Sequence, residues 1–324
     1  MIHRLAIPTP FRVGPVNCYL IEDDPLTLVD VGPNSGRSLV ALEAALAEHG
    51  RRVEELERIV ITHQHMDHLG LVGILAERSG ADVVALDVLA PVIEDAAAHA
   101  ERDDQLARRL MLRHGIAPDV VKALRAMSRG TRGWSGSAPV AERLRDGGEL
   151  AFAGRTFTVL HRPGHSPSDT VFFDAASGEL LAGDHLLHAI SSNPLIATPL
   201  GGRSGEPSAA RPRALPMYLE SLRATRALPV ALVLPGHGDP FRGHAAVIDE
   251  RFAMHERRAR KFAALLSDEP RTAHDIAQRT WGDVAFTQAY LTLCEVLGHL
   301  DLLAERGEVV ELESDGVVRW AMSS

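Results

Sequence analysis

The sequence predicts an α/β fold, and two observations on its 324 residues support this. Short apolar runs rich in β-branched residues, such as 59–61, alternate with stretches whose apolar residues recur at helical spacing, such as Leu39, Leu42 and Leu46. The histidines and aspartates that could carry chemistry directly follow predicted strands, as at 63–68. Alternating strands and helices build layered sheets, whose strand ends can bring such side chains together.

The predicted elements fall into a strand-rich frame, a helical insert and a tail. The strands of the frame are expected at 5–7, 16–21, 26–30, 59–61, 81–86, 150–160, 170–174, 179–184 and 230–234. The helices are expected at 32–50, 88–114, 118–128, 217–227, 250–266, 272–278 and 286–306. Because residues 88–148 interrupt the alternation of strands and helices, we interpret them as an insert.

The tail has the order of a winged helix, since its three predicted helices precede two short strands at 309–313 and 317–322. We therefore expect a catalytic domain over residues 1–248 and a winged-helix-like domain over 249–324. Residues 251–324 hold nine basic and twelve acidic side chains, which is not the charge of a duplex-binding module. DNA binding is not expected, and a packing or dimerisation role, with a homodimer as one form, is favoured.

A metal site is indicated by the run from His63 to His68, which holds three histidines and one aspartate within six residues. Imidazole nitrogen and carboxylate oxygen are ligands of Zn²⁺ and similar ions. His63 and His65 point the same way on an extended segment, whereas Asp67 and His68, at the start of a helix, can face a second position. This division predicts two neighbouring divalent ions. A chance cluster of exposed histidines is disfavoured because the preceding strand is predicted to be buried.

The same run matches the His-x-His-x-Asp-His signature of the metallo-β-lactamase superfamily. The further motifs of that family are resembled, in the right order, by Thr27–Gly32, Pro163–Ser166, Ala182–Asp184 and Leu234–Gly238. The resemblance covers about residues 1–245. It implies an αββα sandwich with a glyoxalase II-like core, here with a helical insertion and followed by the small winged-helix domain.

The resemblance also implies the roles of individual residues. The first metal would be held by His63, His65 and His165, the second by Asp67, His68 and His237, with Asp184 bridging both. Asp67, Asp184 and Asp30 would support catalysis, Asp30 by orienting a ligand histidine, and a hydroxide between the two ions would be the nucleophile. The metal is expected to be zinc, although the same ligands suit iron or manganese. His185 and His188 could donate to the substrate, but a structural role is favoured for each.

Departures from the family pattern narrow the expected reaction. Asp184 stands where zinc β-lactamases of the common class use a cysteine, so antibiotic hydrolysis is not expected. The absence of a tyrosine between Asp184 and Tyr218 weakens a lactonase interpretation. The tail is similar to the beta-lactamase-like protein 2 branch, which includes thioester hydrolases and an endoribonuclease. We therefore expect a dinuclear zinc hydrolase that cleaves an acyl bond, in a thioester, ester or lactone, of an anionic substrate such as one with a CoA-like phosphate group.

Three alternatives stay open at this point. The first is a phosphodiesterase or ribonuclease, in which two ions would clamp the attacking and leaving oxygens. The second is a mononuclear iron persulfide dioxygenase, which shares the histidine motif and needs one iron with open positions. The third is a transcriptional regulator whose α/β domain senses a ligand, and the acidic tail argues against it.

Basic side chains in the insert bear on the substrate. They are Arg102, Arg108, Arg109, Arg113, Lys122, Arg125, Arg129 and Arg132. A solvated helical face is the favoured interpretation, and the alternative is a cap that attracts a small anionic substrate. The loop 191–216, with Arg203, Arg211 and Arg213, is a second candidate for substrate recognition.

Composition limits the cellular setting. The formal net charge is −9, and the two cysteines, Cys18 and Cys294, cannot form a disulfide framework, so a reducing, cytoplasmic setting is expected. Prolines in the first twenty residues interrupt any apolar signal region. No run of about 18 apolar residues is present, so no membrane span is expected.

Overall fold

Two β-sheets with helices on their outer sides form the frame of the protein, which confirms the predicted α/β architecture. The computed structural model describes residues 1–201 and 211–323. Arg203, a candidate for substrate recognition, lies outside the described residues. The frame helices outside insert and tail are α1 (Gly36–Glu48), α2 (Met66–Leu69), α3 (Val72–Ser79) and α7 (Ala214–Arg226).

The first sheet has six strands in chain order, antiparallel from β1 to β3 and parallel from β3 to β6. Its strands are β1 (Ile2–Ile7), β2 (Val16–Ile21), β3 (Thr27–Val29), β4 (Arg58–Ile61), β5 (Asp82–Leu86) and β6 (Glu142–Leu144). The parallel strands β3 and β4 end side by side, since Val29 pairs with Val60. Asp30 and His63 therefore start from the same edge of the sheet.

The second sheet has five strands in the order β11, β10, β9, β8, β7. Its strands are β7 (Glu149–Ala151), β8 (Thr156–His161), β9 (Thr170–Asp174), β10 (Glu179–Gly183) and β11 (Leu232–Pro235). β10 and β11 are parallel, with Gly183 next to Pro235, so Asp184 and His237 follow two neighbouring strand ends.

The main core lies between the two sheets. Val60 of the first sheet and Phe157 and Phe172 of the second belong to one buried cluster, and each is fully buried. The other face of the second sheet packs on α7, where Leu180 and Leu222 meet in a separate cluster. The two sheets are thus held face to face, and their strand ends open toward one common edge.

The insert consists of α4 (Ala90–Glu94), α5 (Ala96–Arg113) and α6 (Pro118–Thr131), followed by a 3₁₀ turn at Arg132–Trp134. The predicted range 88–114 is divided at Asp95, whose side chain accepts a hydrogen bond from the N–H of Ala98 and so begins α5. β6 was not predicted, because Leu144 is its one buried residue and no apolar run signals it. The insert thus adds its own strand, β6, to the first sheet near the end of the insert.

The tail consists of α8 (His244–Ala264), α9 (Ala273–Trp281), α10 (Val284–Thr287), α11 (Ala289–Glu305) and the hairpin β12 (Val309–Ser314) with β13 (Val317–Met322). Its first helix begins before the expected domain boundary, so the boundary at 248/249 falls within α8. The domain division and the winged-helix assignment stay predictions. Among the described residues, no helix is long and apolar enough to cross a membrane.

Insert and tail share one hydrophobic core. Leu110 and Met111 of α5 belong to the same buried cluster as Phe262 of α8, Leu297 of α11 and Trp320 of β13. No sequence pattern indicated this contact, because the residues are far apart along the chain. The tail therefore supports the insert rather than standing apart from it.

Several basic side chains of the insert are engaged in ion pairs. Glu101 of α5 accepts hydrogen bonds from Arg125 at 2.6 Å and from Arg132 at 2.9 Å. Arg113 donates to Glu313 of the tail hairpin at 2.8 Å. These pairs favour the interpretation of the basic residues as part of a solvated helical face. Of the eight basic residues named above, Arg129 also lies 3.5 Å from Glu101, whereas Arg102, Arg108, Arg109 and Lys122 have no ion pair within the described part of the chain.

The shared core predicts a large effect of Trp320→Ala on stability. Trp320 is 1% exposed, so its truncation should lower the free energy of unfolding by about 3–5 kcal/mol. Val310→Ala on the neighbouring strand is the matched control, because Val310 is 43% exposed and should cost less than about 0.5 kcal/mol. Urea unfolding followed by fluorescence and circular dichroism measures both. Equal effects of the two substitutions would contradict the shared core.

Candidate metal centre

All seven predicted metal ligands meet where the two sheets end. His63 and His65 follow β4, and His165, Asp184 and His237 follow β8, β10 and β11. Asp67 and His68 lie in α2, the first turn after the strand. Their ligand atoms form three overlapping groups, within each of which the atoms lie within 4.8 Å of one another. We call His63/His65/His165 the first group and Asp67/His68/His237 the second group, and His63/His68/Asp184 overlaps both.

The first group has the spacing of a tetrahedral metal site. Nδ1 of His65 lies 3.0 Å from Nε2 of His63 and 2.9 Å from Nε2 of His165. Ligand nitrogens about 2.0–2.1 Å from a tetrahedral Zn²⁺ are about 3.3 Å apart. Three imidazole nitrogens that converge so closely fit one metal ion.

The second group and the neighbouring Asp184 contain buried polar atoms that the protein itself does not satisfy. Nε2 of His68, Nε2 of His237 and Oδ1 of Asp184 have no hydrogen-bond partner among the described residues. Oδ2 of Asp67 lies 3.3 Å from Nε2 of His237. Buried polar atoms without partners are costly, and a cation in their midst would satisfy all of them.

Asp184 lies between the two groups. Its Oδ2 is 3.6 Å from Nε2 of His165 in the first group and 3.5 Å from Nε2 of His237 in the second. Its Oδ1 is 3.5 Å from Nε2 of His68. A carboxylate in this position could serve both metal positions and would reduce the repulsion between two cations.

Asp30 contacts Thr62 and the ligand His68. Its Oδ2 accepts hydrogen bonds from Nδ1 of His68 at 2.7 Å and from the hydroxyl of Thr62 at 2.8 Å. Because the Thr62 hydroxyl donates to Asp30, its oxygen is free to accept from Nδ1 of His63, 3.0 Å away. Both histidines thus keep the proton on Nδ1 and present Nε2 to the metal positions. The expected orienting role of Asp30 agrees with this geometry.

The charges of the centre favour ionised carboxylates and neutral imidazoles in the first group. Burial lowers the pKa of His165 to about 3 and the pKa of His63 well below its usual value. Burial would raise the pKa of Asp184, but the charges of His68 and His237 bring it well below its usual value. Burial also opposes a proton on His68, yet Asp184, Asp30 and Asp67 raise its pKa. The negative charges of these three carboxylates, which favour a proton on His68, would also favour a metal cation at this position.

Asn17 and Tyr19 position the loop of His237 and were missed by the sequence analysis. The amide of Asn17 donates to the carbonyls of Pro235 at 2.8 Å and Gly238 at 2.7 Å, and the Tyr19 hydroxyl donates to Pro235 at 2.8 Å. Both residues belong to β2, all of whose residues are buried. A polar amide in an otherwise apolar buried strand was the available signal.

Two further histidines lie outside the centre. His185 is fully buried and its Nε2 is 2.8 Å from the hydroxyl of Thr225, so it faces away from a substrate. His188 is exposed and stacks on the ring of Phe241. The structural role that the sequence favoured for both agrees with these contacts.

The glycines beside the ligands serve two different purposes. A Cβ on Gly236 would lie 2.2 Å from Oδ1 of Asp184, so only glycine allows this carboxylate to approach the His237 loop. A Cβ on Gly164 would instead meet Cα of Tyr218 at 2.4 Å. Gly164 thus permits close packing of α7.

A fourth cluster, of His255, Glu295 and His299, is explained without a metal. Nδ1 of His299 donates to the carbonyl of Glu295 at 2.7 Å, and its Nε2 lies 3.1 Å from Nδ1 of His255, which can donate to it. The Glu295 carboxylate is paired with Arg258. An added dication would lie next to that guanidinium, so the cluster is a hydrogen-bonded link between α8 and α11.

Removal of the Asn17 amide should weaken metal binding at the second group. We expect Asn17→Ala to lower the affinity for the ion near His237 by about 10–100-fold, as loss of an orienting partner does, and to leave the three-histidine position occupied. Titration of the metal-free protein with zinc, followed by calorimetry, measures both affinities. Asn34→Ala is the control, since its amide makes a 3.4 Å contact away from the ligands. Unchanged affinities in Asn17→Ala would contradict the positioning role.

Comparison with known proteins agrees with the geometry. Residues 11–237 match the family model of the Metallo-beta-lactamase superfamily. The probable metallo-hydrolase YqjP of Bacillus subtilis is 33% identical over 300 residues, which cover 92% of this chain and 91% of that protein. The beta-lactamase-like protein 2 homolog of Caenorhabditis elegans is 24% identical over 316 residues, covering 97% and 86%.

A solved structure extends the likeness to the fold. The crystal structure of a metallo-beta-lactamase family protein from Thermus thermophilus aligns with a TM-score of 0.79 and 29% identity, covering 99% of this chain and 98% of the other. The match thus includes the insert and the tail as well as the two sheets. Together with the family match over most of the chain, it shows that this protein belongs to the metallo-β-lactamase superfamily of metal-dependent hydrolases.

Proposed function

We propose that this protein is a dinuclear zinc hydrolase that cleaves an acyl bond, with a thioester as the favoured substrate and an ester or lactone within the same class. The observation that carries the proposal is that the first and second ligand groups lie on either side of Asp184, whose carboxylate is close to both. A mononuclear iron dioxygenase would leave Asp67 and His237 without a role, although their buried ligand atoms lie 3.3 Å apart.

Two bound ions would acidify a water molecule and polarise the substrate carbonyl. The residues of the chain prepare the centre for this. Asp184 stays ionised between the two positions, since neighbouring charges hold its pKa low, and Asp30 with Thr62 fixes the ring orientation of His63 and His68. Because the nucleophile would come from water, no separate protein base is required, and Asp67 contributes as a ligand.

Charge favours an acyl bond over a phosphodiester in RNA. A polyanionic substrate requires several lysines or arginines to contact its phosphates. In the insert, Arg113, Arg125 and Arg132 are instead paired with carboxylates of the protein. The anionic substrate expected from the sequence would depend on the other cations of the insert. We therefore propose an acyl substrate without a commitment to negative charge.

We further propose that the protein acts in a reducing compartment, the cytoplasm. Cys18 and Cys294 are both free and both buried, which suits such a setting.

The tail is proposed to act as a support for the insert, because the two share a hydrophobic core. A homodimer stays a prediction from the sequence, which the contacts within one chain do not address.

The proposed reaction predicts metal-dependent thioester hydrolysis. Initial rates of the zinc-loaded protein are measured on an acyl-CoA thioester and on a nitrophenyl phosphodiester, with His65→Ala as the blank for each. We expect faster cleavage of the thioester, lost in the variant and after chelation. Faster cleavage of the phosphodiester would overturn the acyl proposal in favour of a nuclease.

Asp184→Ala should remove the second ion and nearly all turnover. Without the carboxylate, the two cations repel each other and one position loses a ligand, so kcat should fall by about a thousandfold or more. Metal content by mass spectrometry should fall from two ions per chain toward one. Asp239→Asn is the control, since this carboxylate is largely exposed and pairs with Arg4. Full metal content together with retained activity in Asp184→Ala would contradict the bridging role.

A further inference from the structure

An irregular stretch after β10, residues 185–195, contacts the main chain of two predicted metal ligands, and we call it the connecting loop. The hydroxyl of Ser192 donates to the carbonyl of Asp184, the residue before the loop. The N–H of Leu195 donates to the carbonyl of His165 at 3.2 Å. The far end of the connecting loop thus joins the residue between the two ligand groups to a histidine of the first group.

The middle of the connecting loop lacks the main-chain contacts that hold an ordinary turn. Within the described part of the chain, residues 186–194 make no hydrogen bond between backbone groups. His188, Ala189 and Ile190 are exposed. Backbone carbonyls need partners, and where the main chain supplies none, side chains or water must do so. The position of this loop therefore depends on side chains from other elements.

Arg251 of α8, in the tail, supplies such partners. Its Nη2 group donates hydrogen bonds to the carbonyls of three loop residues: Leu187 at 3.2 Å, His188 at 2.7 Å and Ile190 at 3.0 Å. Hydrogen bonds from a charged donor are about twice as strong as those between neutral groups. One half-buried side chain of the tail thus gathers the exposed part of the connecting loop.

The two ends of the connecting loop are held by the frame, whereas its middle is not. At the near end, the buried Tyr218 of α7 donates its hydroxyl to the carbonyl of His185 at 2.9 Å. At the far end, Ser192 is buried. For the carbonyls of 186–191, Arg251 is the one side-chain donor that the described residues provide. Loss of this side chain would therefore release the middle of the loop.

We propose that Arg251 is a positioning residue of the metal centre. By holding the middle of the connecting loop, it keeps the far end of the loop bonded to the main chain of Asp184 and His165. The inference rests on the dinuclear centre proposed above and gives the tail a part in that centre. Loss of a partner that orients a ligand directly lowers metal affinity by about 10–100-fold. Because Arg251 acts through the loop, we expect an effect at the lower end of this range.

The test measures zinc affinity, which does not depend on the identity of the substrate. The metal-free wild type, Arg251→Met and Arg251→Lys are titrated with zinc and followed by calorimetry. Methionine keeps a long apolar stem without a donor, whereas lysine keeps a positive charge and three donors. Arg257→Met is the matched control, since Arg257 is exposed on the same helix. Circular dichroism checks the fold, and Arg251→Gln is the substitute if Arg251→Met does not fold.

We expect Arg251→Met to bind the more weakly held zinc ion about tenfold less tightly than the wild type. Arg251→Lys should recover most of this loss, and Arg257→Met should stay within about twofold of the wild type. Ser192→Ala should weaken the same binding step. The double variant with Arg251→Met should lose less than the product of the two single effects, because both act through the connecting loop.

The outcomes separate this inference from the function on which it rests. If the wild type binds one zinc ion at saturation, the dinuclear centre fails, and the affinity for that ion in Arg251→Met still tests the positioning role. If the wild type binds two ions and Arg251→Met binds both with unchanged affinity, the positioning role is overturned and the dinuclear hydrolase stands. An equal loss in Arg257→Met, or no recovery in Arg251→Lys, would also overturn it.

Discussion

The burial of six of the seven predicted ligand side chains at one edge of two sheets is the constraint on which the rest of this structure depends. Carboxylates and imidazoles held away from water are costly unless charged partners satisfy them. His68 shows this most clearly, since it is fully buried between the carboxylates of Asp30 and Asp184. Divalent cations would offset the cost of this arrangement, and metal binding would then also stabilise the fold.

Both sheets contribute residues to this edge. The second sheet delivers His165, Asp184 and His237 at the ends of its strands. The first sheet delivers the four ligands after β4 and also supplies residues that contact ligands or their loops. Asn17 of β2 fixes the His237 loop and Asp30 fixes His68. The two sheets must therefore keep their mutual position, which their common core ensures. Insert and tail add a second body of structure around a hydrophobic core of their own.

The order of most strands and helices and the four candidate ligands in the run 63–68 could be predicted from the sequence, because periodicity and a compact motif are local signals. His165, Asp184 and His237 were expected from the family resemblance. The contacts between distant residues could not be predicted in this way. Asn17 and Pro235 are 218 positions apart, and nothing in either neighbourhood points to the other. The same holds for the core shared by Met111 and Trp320. The one available signal was Asn17 itself, a polar residue within the buried strand β2.

The measurement that tests this account most directly is anomalous X-ray diffraction from crystals of the zinc-loaded protein at the zinc absorption edge. Two peaks about 3.5–4 Å apart are expected. One should lie among His63, His65 and His165, and the other among Asp67, His68 and His237, with Asp184 between them. A single peak among the three histidines, with the second group empty at saturating zinc, would contradict the dinuclear centre.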